Sequence, residues 1–452
     1  MENILSRYFR CPEEHIQFAA STPPDESIGY FLFGENTCFG RYSGPTSTVP
    51  LPPLTQAMLQ TRTEDGVVAV PFDAEEIFEN LTQERYANSS GEGPLNLDSA
   101  INRLYYLIRP MLPVSARKHL QKLRFKDWQK IPFPHWPVDR TADALLDDLL
   151  CLAMKAQKID RIPFIWFWPM GASSAAVVTH DVETVKGRDF CSNLMDIDDS
   201  FAVKSAFEVV PENRYDVPAS YRDSITGRGF ELAVQDLNHD GRLYLSHPEF
   251  VKRAARINTY GREWGAEGFR GAILYRRQEW FDALDFSYDM SVPNVAHLDP
   301  QRGGCCTIMP YFVGKMLELP VTTTQDYTLF HILKSHSPDL WKRQIDIIIA
   351  NHGLAGFIVH PDYVTTPKEQ DTYRGLLAHL IHLRKTKNVW IAKPSEINHW
   401  WRRRAEMRLV ACGRGWRIEG KGSEDALVAY ASEENGHIKF TLEPALAQKR
   451  HA

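Results

Sequence analysis

The sequence predicts an α/β fold with a distorted (β/α) barrel of about seven parallel strands, and three observations carry this prediction. Beyond residue 161, short apolar runs with β-type residues alternate with amphipathic helical segments. Each strand and its helix take about 30 residues, which is typical of right-handed crossovers in a parallel sheet. Seven or so such units fit between residues 161 and 405, and that number indicates a barrel.

Four apolar runs are the clearest strands of this region: "AAVVTHDV" at 175–182, "SAFEVVP" at 205–211, "FELAVQDL" at 230–237 and "AGFIVHPDY" at 355–363. A distinct helix follows the third run. Ser246 and Glu249 have the spacing of a capping box at its start. Its apolar face is formed by Phe250, Ala254, Ile257, Tyr260 and Trp264.

The remainder of the chain has other patterns. Residues 1–95 are predicted to be an irregular α+β region, because strand-like stretches alternate with Gly- and Pro-rich turns. Residues 96–160 are predicted to be a helical connector from "LDSAINRLYYLIRPML" and "ADALLDDLLCLAMKAQ", whose apolar residues recur at three and four. Residues 406–452 carry short strands with Gly and charged turns, which predicts a small antiparallel β tail.

Composition narrows the functional classes. A formal net charge of −5 gives no electrostatic case for binding nucleic acid, and no apolar run is long enough to predict a membrane span. The seven cysteines are odd in number and lack metal-binding spacing, which predicts free thiols in a reducing compartment. Together with a start that does not resemble a signal peptide, this predicts a cytoplasmic location. Nothing in the sequence predicts an oligomeric state.

Ionisable and polar residues follow several predicted strands where each strand ends. The main ones are Asp181, Glu183, Gln235, His239, Arg270 and His360. In a parallel barrel the carboxyl ends of the strands form one mouth, where the chemistry lies. Carboxylates and imidazoles at such a mouth are suited to hold a divalent metal or to act as acid and base. The alternative is that each is an ordinary helix cap, loop residue or structural ion pair.

The order of these motifs resembles the polysaccharide deacetylase (NodB-homology) family of carbohydrate esterases, over residues 161–403. "THDVE" resembles the family's first motif, which implies that Asp181 is the general base and Glu183 a metal ligand. "QDLNHDG" resembles the second, with His239 as a ligand and Gln235 where the family has its first metal-binding His.

The later motifs imply three further roles. "FRG" resembles the third motif, whose Arg holds the catalytic Asp, and this is Arg270. "TTTQDYTLF" resembles the fourth, with Asp326 as an orienting carboxylate. "IVH" resembles the fifth, which places Ile358 in the acetyl-lining position and His360 as general acid.

The resemblance implies a metal-dependent hydrolase, with zinc as the expected ion, that removes an N-acetyl group from an amino sugar or glycan intermediate. The implied partner is therefore a carbohydrate. Gln235 departs from the family pattern, because an amide oxygen is a weaker ligand for zinc-like ions than imidazole. Three outcomes stay open: a metal held by this altered set, helped by Asp236 or Asp240; a carbohydrate-binding protein without catalysis; or metal-free hydrolysis of a C–N bond in a non-sugar amide.

Overall fold

The computed structural model describes residues 3–20, 27–89, 125, 127–413 and 415–443. Its strands, in chain order, are β1 (Phe18–Ala20), β2 (Ser27–Phe33), β3 (Asn36–Tyr42), β4 (Arg62–Glu64), β5 (Val67–Val70), β6 (Arg161–Ile165), β7 (Ser174–Val182), β8 (Ala206–Val209), β9 (Glu231–Gln235), β10 (Gly268–Arg270), β11 (Tyr288–Asp289), β12 (Tyr311–Val313), β13 (Met316–Glu318), β14 (Leu354–Ile358), β15 (Val389–Ile391), β16 (Arg408–Cys412), β17 (Gly415–Glu419), β18 (Val428–Glu434) and β19 (His437–Leu442).

The α-helices are α1 (Ile4–Phe9), α2 (Ala74–Thr82), α3 (Arg85–Ser89), α4 (Thr141–Gln157), α5 (Val185–Ser200), α6 (Ala219–Thr226), α7 (His247–Trp264), α8 (Asp339–Ala350), α9 (Pro367–Lys387) and α10 (Pro394–Glu406). Helix α4 confirms the second helical stretch of the predicted connector. The first stretch, at residues 97–112, lies outside the described residues. None of the helices in the described part of the chain combines the length and apolar character that crossing a membrane requires.

Residue proximity divides the chain into two units. One comprises Met1–Ser90, Arg140–Ser174 and His399–Ala452, and the other Gly91–Asp139 and Ala175–Asn398. The four regions predicted from the sequence are contiguous segments with other boundaries than these two units, and those boundaries stay a prediction.

The second unit is built on one curled sheet with the strand order β12-β13-β11-β10-β9-β8-β7-β14, and β15 also pairs with β7. Every pairing along this order from β13 to β14 is parallel, so seven strands run side by side in one direction. After β13, the Thr322 hydroxyl donates to the Leu354 carbonyl at 2.7 Å and the Thr323 amide to the Gly356 carbonyl at 3.2 Å. These bonds to β14 bring the two ends of the curl together. The prediction of a distorted (β/α) barrel with about seven parallel strands is confirmed.

Helices separate β7 from β8, β8 from β9, β9 from β10 and β13 from β14, as predicted, but the described residues 268–318 contain no α-helix between β10 and β11 or between β11 and β13. The start of α7 also differs from the prediction. The buried face of α7 contains Phe250, Ala254 and Ile257, as the periodicity indicated. Ser246 is the N-cap, but its side chain makes no capping hydrogen bond. The predicted capping box is therefore wrong, because the Glu249 carboxylate accepts from Arg253 at 2.9 Å instead of turning back to the cap.

The first unit contains the sheets β1-β5-β4, β2-β3, β16-β17 and β19-β18-β6. The antiparallel strands predicted for the tail are present, and β18 also pairs antiparallel with β6. Arg404 of α10 is buried in this unit, and among the described residues its hydrogen-bond partners are main-chain oxygens. It donates to the carbonyls of Tyr8, Phe9, Ile165 and Trp166 at 2.7–3.1 Å.

Candidate active site

The predicted site residues lie at the carboxyl ends of neighbouring strands. Asp181 is the penultimate residue of β7, and Gln235 and Arg270 are the last residues of β9 and β10. His360 follows the end of β14 by two residues. Because these strands are parallel, their ends meet at one edge of the curled sheet, and the side chains come into direct contact.

Arg270 fixes the Asp181 carboxylate. Its Nη1 donates to Asp181 Oδ1 and, at 2.8 Å, to Thr179 Oγ1. Its Nε donates to the Met290 carbonyl at 2.9 Å. Asp181 and Arg270 are both buried, so the pair is shielded from solvent. Burial opposes the charge on Arg270, but Asp181 and its acidic neighbours outweigh it and raise the pKa of the guanidinium. The orientation of Asp181 is therefore set from one side by a permanent cation.

Glu183 lies between two imidazoles. Its Oε1 is 2.8 Å from His239 Nε2 and 3.5 Å from His360 Nε2. Burial would raise the pKa of this carboxyl, but His239 and then His360 outweigh burial and hold it well below its usual range. Burial would in turn lower the pKa of His239, yet Glu183 raises it above the usual value. The carboxylate and its two rings therefore stabilise one another's charged forms.

Asp326 holds His360 with both of its oxygens. Asp326 Oδ1 is 2.6 Å from Nδ1 of the ring, and Oδ2 accepts from the His360 main-chain amide at 2.7 Å. Burial opposes the charged ring, but Asp326 and then Glu183 hold the pKa of His360 well above its usual range. With Nδ1 engaged, Nε2 is the ring atom left to exchange a proton near Glu183.

Gln235 connects the two carboxylates through its amide nitrogen. Nε2 donates to Asp181 Oδ2 at 3.0 Å and to Glu183 Oε1 at 3.3 Å. Oε1 is buried, and no donor reaches it from the described residues. Since an amide ligates a metal through oxygen, this orientation makes Gln235 a donor to the carboxylates rather than a ligand.

The residues nevertheless offer a set of donors that fits a divalent ion. Asp181, Glu183 and His360 each contribute one atom to a group in which all three atoms lie within 4.8 Å of one another. Carboxylate oxygen and imidazole nitrogen are ligands that zinc accepts at about 2.0–2.2 Å. Glu183 is the one residue that this set shares with the predicted set of Glu183, Gln235 and His239.

Other polar residues near the strand ends are engaged elsewhere. His180, which precedes Asp181, is fully buried, with Nδ1 2.8 Å from the Val359 carbonyl and Nε2 3.0 Å from Asp198. Asp240 accepts from Arg253 at 2.8 Å, and Asp236 from the amide of the next residue at 2.7 Å. Neither acid takes part in the contacts around Glu183 described above.

Sequence reasoning missed several buried groups behind this mouth. Thr179 supports Arg270, and its position two residues before Asp181 on one strand was the available signal. Glu208 is the register partner of Asp181 on β8, and Asp289 of β11 is the partner of Glu318 on β13. Glu208, Asp289 and Glu318 are fully buried. Nothing in their local sequence distinguishes them from outward-facing residues of half-buried strands.

An apolar cluster borders the site. Ile358, predicted to lie where an acetyl group binds, packs with Leu274 and Val321. The latter two residues also line a cleft together with Trp136 and residues 322–324. An apolar wall therefore begins two residues before His360.

Comparison with known proteins gives structural likenesses only. No protein-family model matches the chain, and no curated protein matches its sequence. Among solved structures, it is similar to a protein from Mycobacterium smegmatis described as a polysaccharide deacetylase, with TM-score 0.42, 18% identity and coverage of 55% of this chain and 96% of the other. It is also similar to a family 4 acetyl xylan esterase from Clostridium thermocellum in complex with a cobalt ion (TM-score 0.33, 14% identity, 50% and 91% coverage). A third is a CE4 family pseudoenzyme from Bacillus anthracis (TM-score 0.32, 14% identity, 50% and 65% coverage). At such identities and scores the likenesses carry no argument about the chemistry of the site.

Proposed function

We propose that this chain is a hydrolase that removes an N-acetyl group from an amino sugar or glycan intermediate, using a divalent ion, zinc by preference. One observation carries the proposal. A buried carboxylate, Asp181, and a buried imidazole, His360, face the same small space, and each is held by its own oppositely charged partner. Arg270 fixes the first and Asp326 the second. Such separate support is the arrangement that an acid and base pair requires.

In the proposed reaction Asp181 takes a proton from the attacking water, and Arg270 keeps the carboxylate aimed during the transfer. Oxygen bonds to the acyl carbon and the C–N bond breaks. His360 gives the proton on Nε2 to the leaving nitrogen, so that acetate and a free amine result. Asp326 raises the pKa of His360, and this favours the protonated ring that the step requires. When bound, the ion would polarise the acyl carbonyl and acidify the attacking water.

Two sets of residues are proposed to hold the ion. The first is Glu183, His239 and Gln235, which requires the Gln235 amide to turn its oxygen toward the ion. The second is Asp181, Glu183 and His360, and in that case His360 Nε2 binds the ion and does not protonate the leaving nitrogen. Calorimetric titration with Zn²⁺ separates them, because His239→Gln should weaken binding only in the first case and His360→Gln only in the second. Glu183→Gln should weaken binding in both. Unchanged affinity in the Glu183→Gln variant would exclude both sets.

The activity is tested by measuring acetate release from a panel of N-acetylated amino sugars, free, nucleotide-linked and oligomeric. Asp181→Asn and His360→Gln should each lower kcat by roughly 10²- to 10⁴-fold. Asp425→Asn, in the first unit, is a matched control and should leave kcat unchanged. Acetate release that persists in both site variants would refute the assigned roles, and binding without release would favour a carbohydrate-binding protein.

A second function is favoured by Gln235. Its amide nitrogen donates to both carboxylates, and Glu183 is already flanked by two imidazoles, so its negative charge is compensated by the chain itself. This arrangement supports metal-free hydrolysis of a C–N bond in a non-sugar amide. Activity that survives exhaustive chelation would select this second function over the first.

We also propose a cytoplasmic location. None of the seven cysteines forms a disulfide and six are buried, which suits a reducing compartment. Cell fractionation tests this, and recovery of the protein outside the cytoplasm would contradict it.

A further inference from the structure

Three aromatic rings beside His360 contact one another at the mouth of the sheet. Tyr327, His331 and Tyr363 are each half-buried. The ring centroids lie 5.2 Å apart for Tyr327 and His331, 5.6 Å for Tyr327 and Tyr363, and 5.0 Å for His331 and Tyr363. We call these three residues the aromatic corner.

The aromatic corner is attached to the acid pair at two points. Tyr327 directly follows Asp326, and its main-chain amide donates to Asp326 Oδ1 at 2.7 Å. Tyr363 lies three residues after His360, and the two ring centroids are 4.8 Å apart. The corner is therefore held in a fixed place relative to the group that protonates the leaving nitrogen.

The three rings are inclined to one another rather than stacked in parallel. The planes of Tyr327 and Tyr363 are inclined at 43°, those of Tyr327 and His331 at 62°, and those of His331 and Tyr363 at 87°. An amino sugar is a puckered ring with C–H bonds on its faces, and these bonds can lie against a single aromatic face. Aromatic faces carry negative partial charge that attracts such C–H bonds, and the tyrosine hydroxyls and the imidazole can bond to hydroxyl groups.

We propose that the aromatic corner binds the sugar ring whose amino group is the leaving group in the reaction. This inference rests on the proposed function, and it names the residues that recognise the substrate's leaving half. Because His360 must reach the leaving nitrogen, the ring bearing that nitrogen lies next to His360, and Tyr363 is the aromatic side chain in contact with His360 on that side. The acyl half would then lie toward Ile358, Leu274 and Val321.

Kinetics and binding together test this. Tyr363→Ala should raise KM for an N-acetylated amino sugar roughly threefold to tenfold, the range expected from the loss of one aromatic contact, with a smaller change in kcat. Tyr363→Phe keeps the ring and should restore most of the lost affinity. Tyr260→Ala, on α7, is the matched control for removing a half-buried tyrosine and should leave KM unchanged.

Saturation-transfer NMR with N-acetylglucosamine on the Asp181→Asn background gives a readout that needs no turnover. Ring protons of the sugar should receive saturation, and Tyr327→Ala and Tyr363→Ala should each reduce the transfer. A normally folded Tyr363→Ala variant with unchanged KM and unchanged transfer would overturn the inference, as would the absence of any transfer in the parent protein. Transfer that depends on Tyr363 without acetate release from the wild type would support the inference while the proposed function fails.

Discussion

Glu208 is predicted to make the folded protein less stable as the pH rises. This side chain on β8 is fully buried, and none of the described residues donates to either of its oxygens. Burial raises the pKa of its carboxyl from 4.5 to about 8, with Arg270 acting in the opposite direction and Asp181 in the same one. The folded chain therefore keeps the proton across a pH range in which the unfolded chain has lost it.

The sign and size follow from proton linkage. Between pH 4.5 and about 8 the folded state binds more protons than the unfolded state, so raising the pH lowers the free energy of unfolding. At 1.36 kcal/mol per pH unit, the loss is about 3 kcal/mol by pH 7 and about 5 kcal/mol by pH 8. Glu208→Gln has nearly the same shape and no titration. Its stability relative to wild type should therefore rise by these amounts.

Urea unfolding of wild type and Glu208→Gln between pH 4 and pH 9 measures this difference. The gap between the two free energies of unfolding should widen with a slope near 1.4 kcal/mol per pH unit and then level off above pH 8. Glu424→Gln, at an exposed glutamate, is the control and should show no such widening. A gap for Glu208→Gln that stays constant with pH would refute the reasoning.

Three further predictions concern other buried polar side chains. Arg404→Ala removes one donor from each of four carbonyls and should lower the free energy of unfolding by about 3 kcal/mol or more, measured in urea, with Arg404→Lys intermediate. Asp326→Asn removes an anion that raises the pKa of His360, so the basic limb of the pH–rate profile should move about one unit or more toward acid. Gln235→His supplies an imidazole beside Glu183 and should tighten Zn²⁺ binding about tenfold or more by calorimetry.

A control variant or a refuting outcome can be stated for each of these three predictions. Arg408→Ala, which removes an exposed arginine, is the control for Arg404→Ala. If both variants lower the free energy of unfolding equally, the buried contacts of Arg404 contribute nothing to stability. An Asp326→Asn profile with an unmoved basic limb would show that His360 is not the titrating acid. Zn²⁺ affinity unaffected by Gln235→His would mean that the residue at position 235 is not a ligand, as in the set of Asp181, Glu183 and His360.

The ends of the strands were predictable because each apolar run is followed by polar or ionisable residues. The run "AAVVTHDV" is apolar until its last residues, which predicts an interior strand of a sheet covered on both faces. In the structure all nine positions of β7 are buried. A parallel sheet then brings its end to the same edge as Gln235, Arg270 and His360. Local pattern and topology were sufficient for this part of the site.

The pairings within the site were not predictable from local pattern. Asp326 and His360 are far apart in sequence, and only the resemblance to a family linked them. Which atom of the Gln235 amide faces the carboxylates depends on contacts in three dimensions. Glu208 sits in a short strand that looks half-exposed, and its complete burial follows from the curl of the sheet. The error at Ser246 has a similar cause, because Arg253 competes for Glu249.

Strands β6 and β18 pair with each other although they are far apart in the sequence, so β6 is synthesised well before its partner. Val428 follows Ile165 by 263 residues, and at about 5–20 residues per second a ribosome needs roughly 10 to 50 s to supply the partner. During that interval β6 would present an apolar edge to other nascent chains. Pro163, at the centre of β6 opposite Tyr430, lacks the N–H that continuous pairing with a stray strand would use. One proline can thus protect an early strand until its late partner is made.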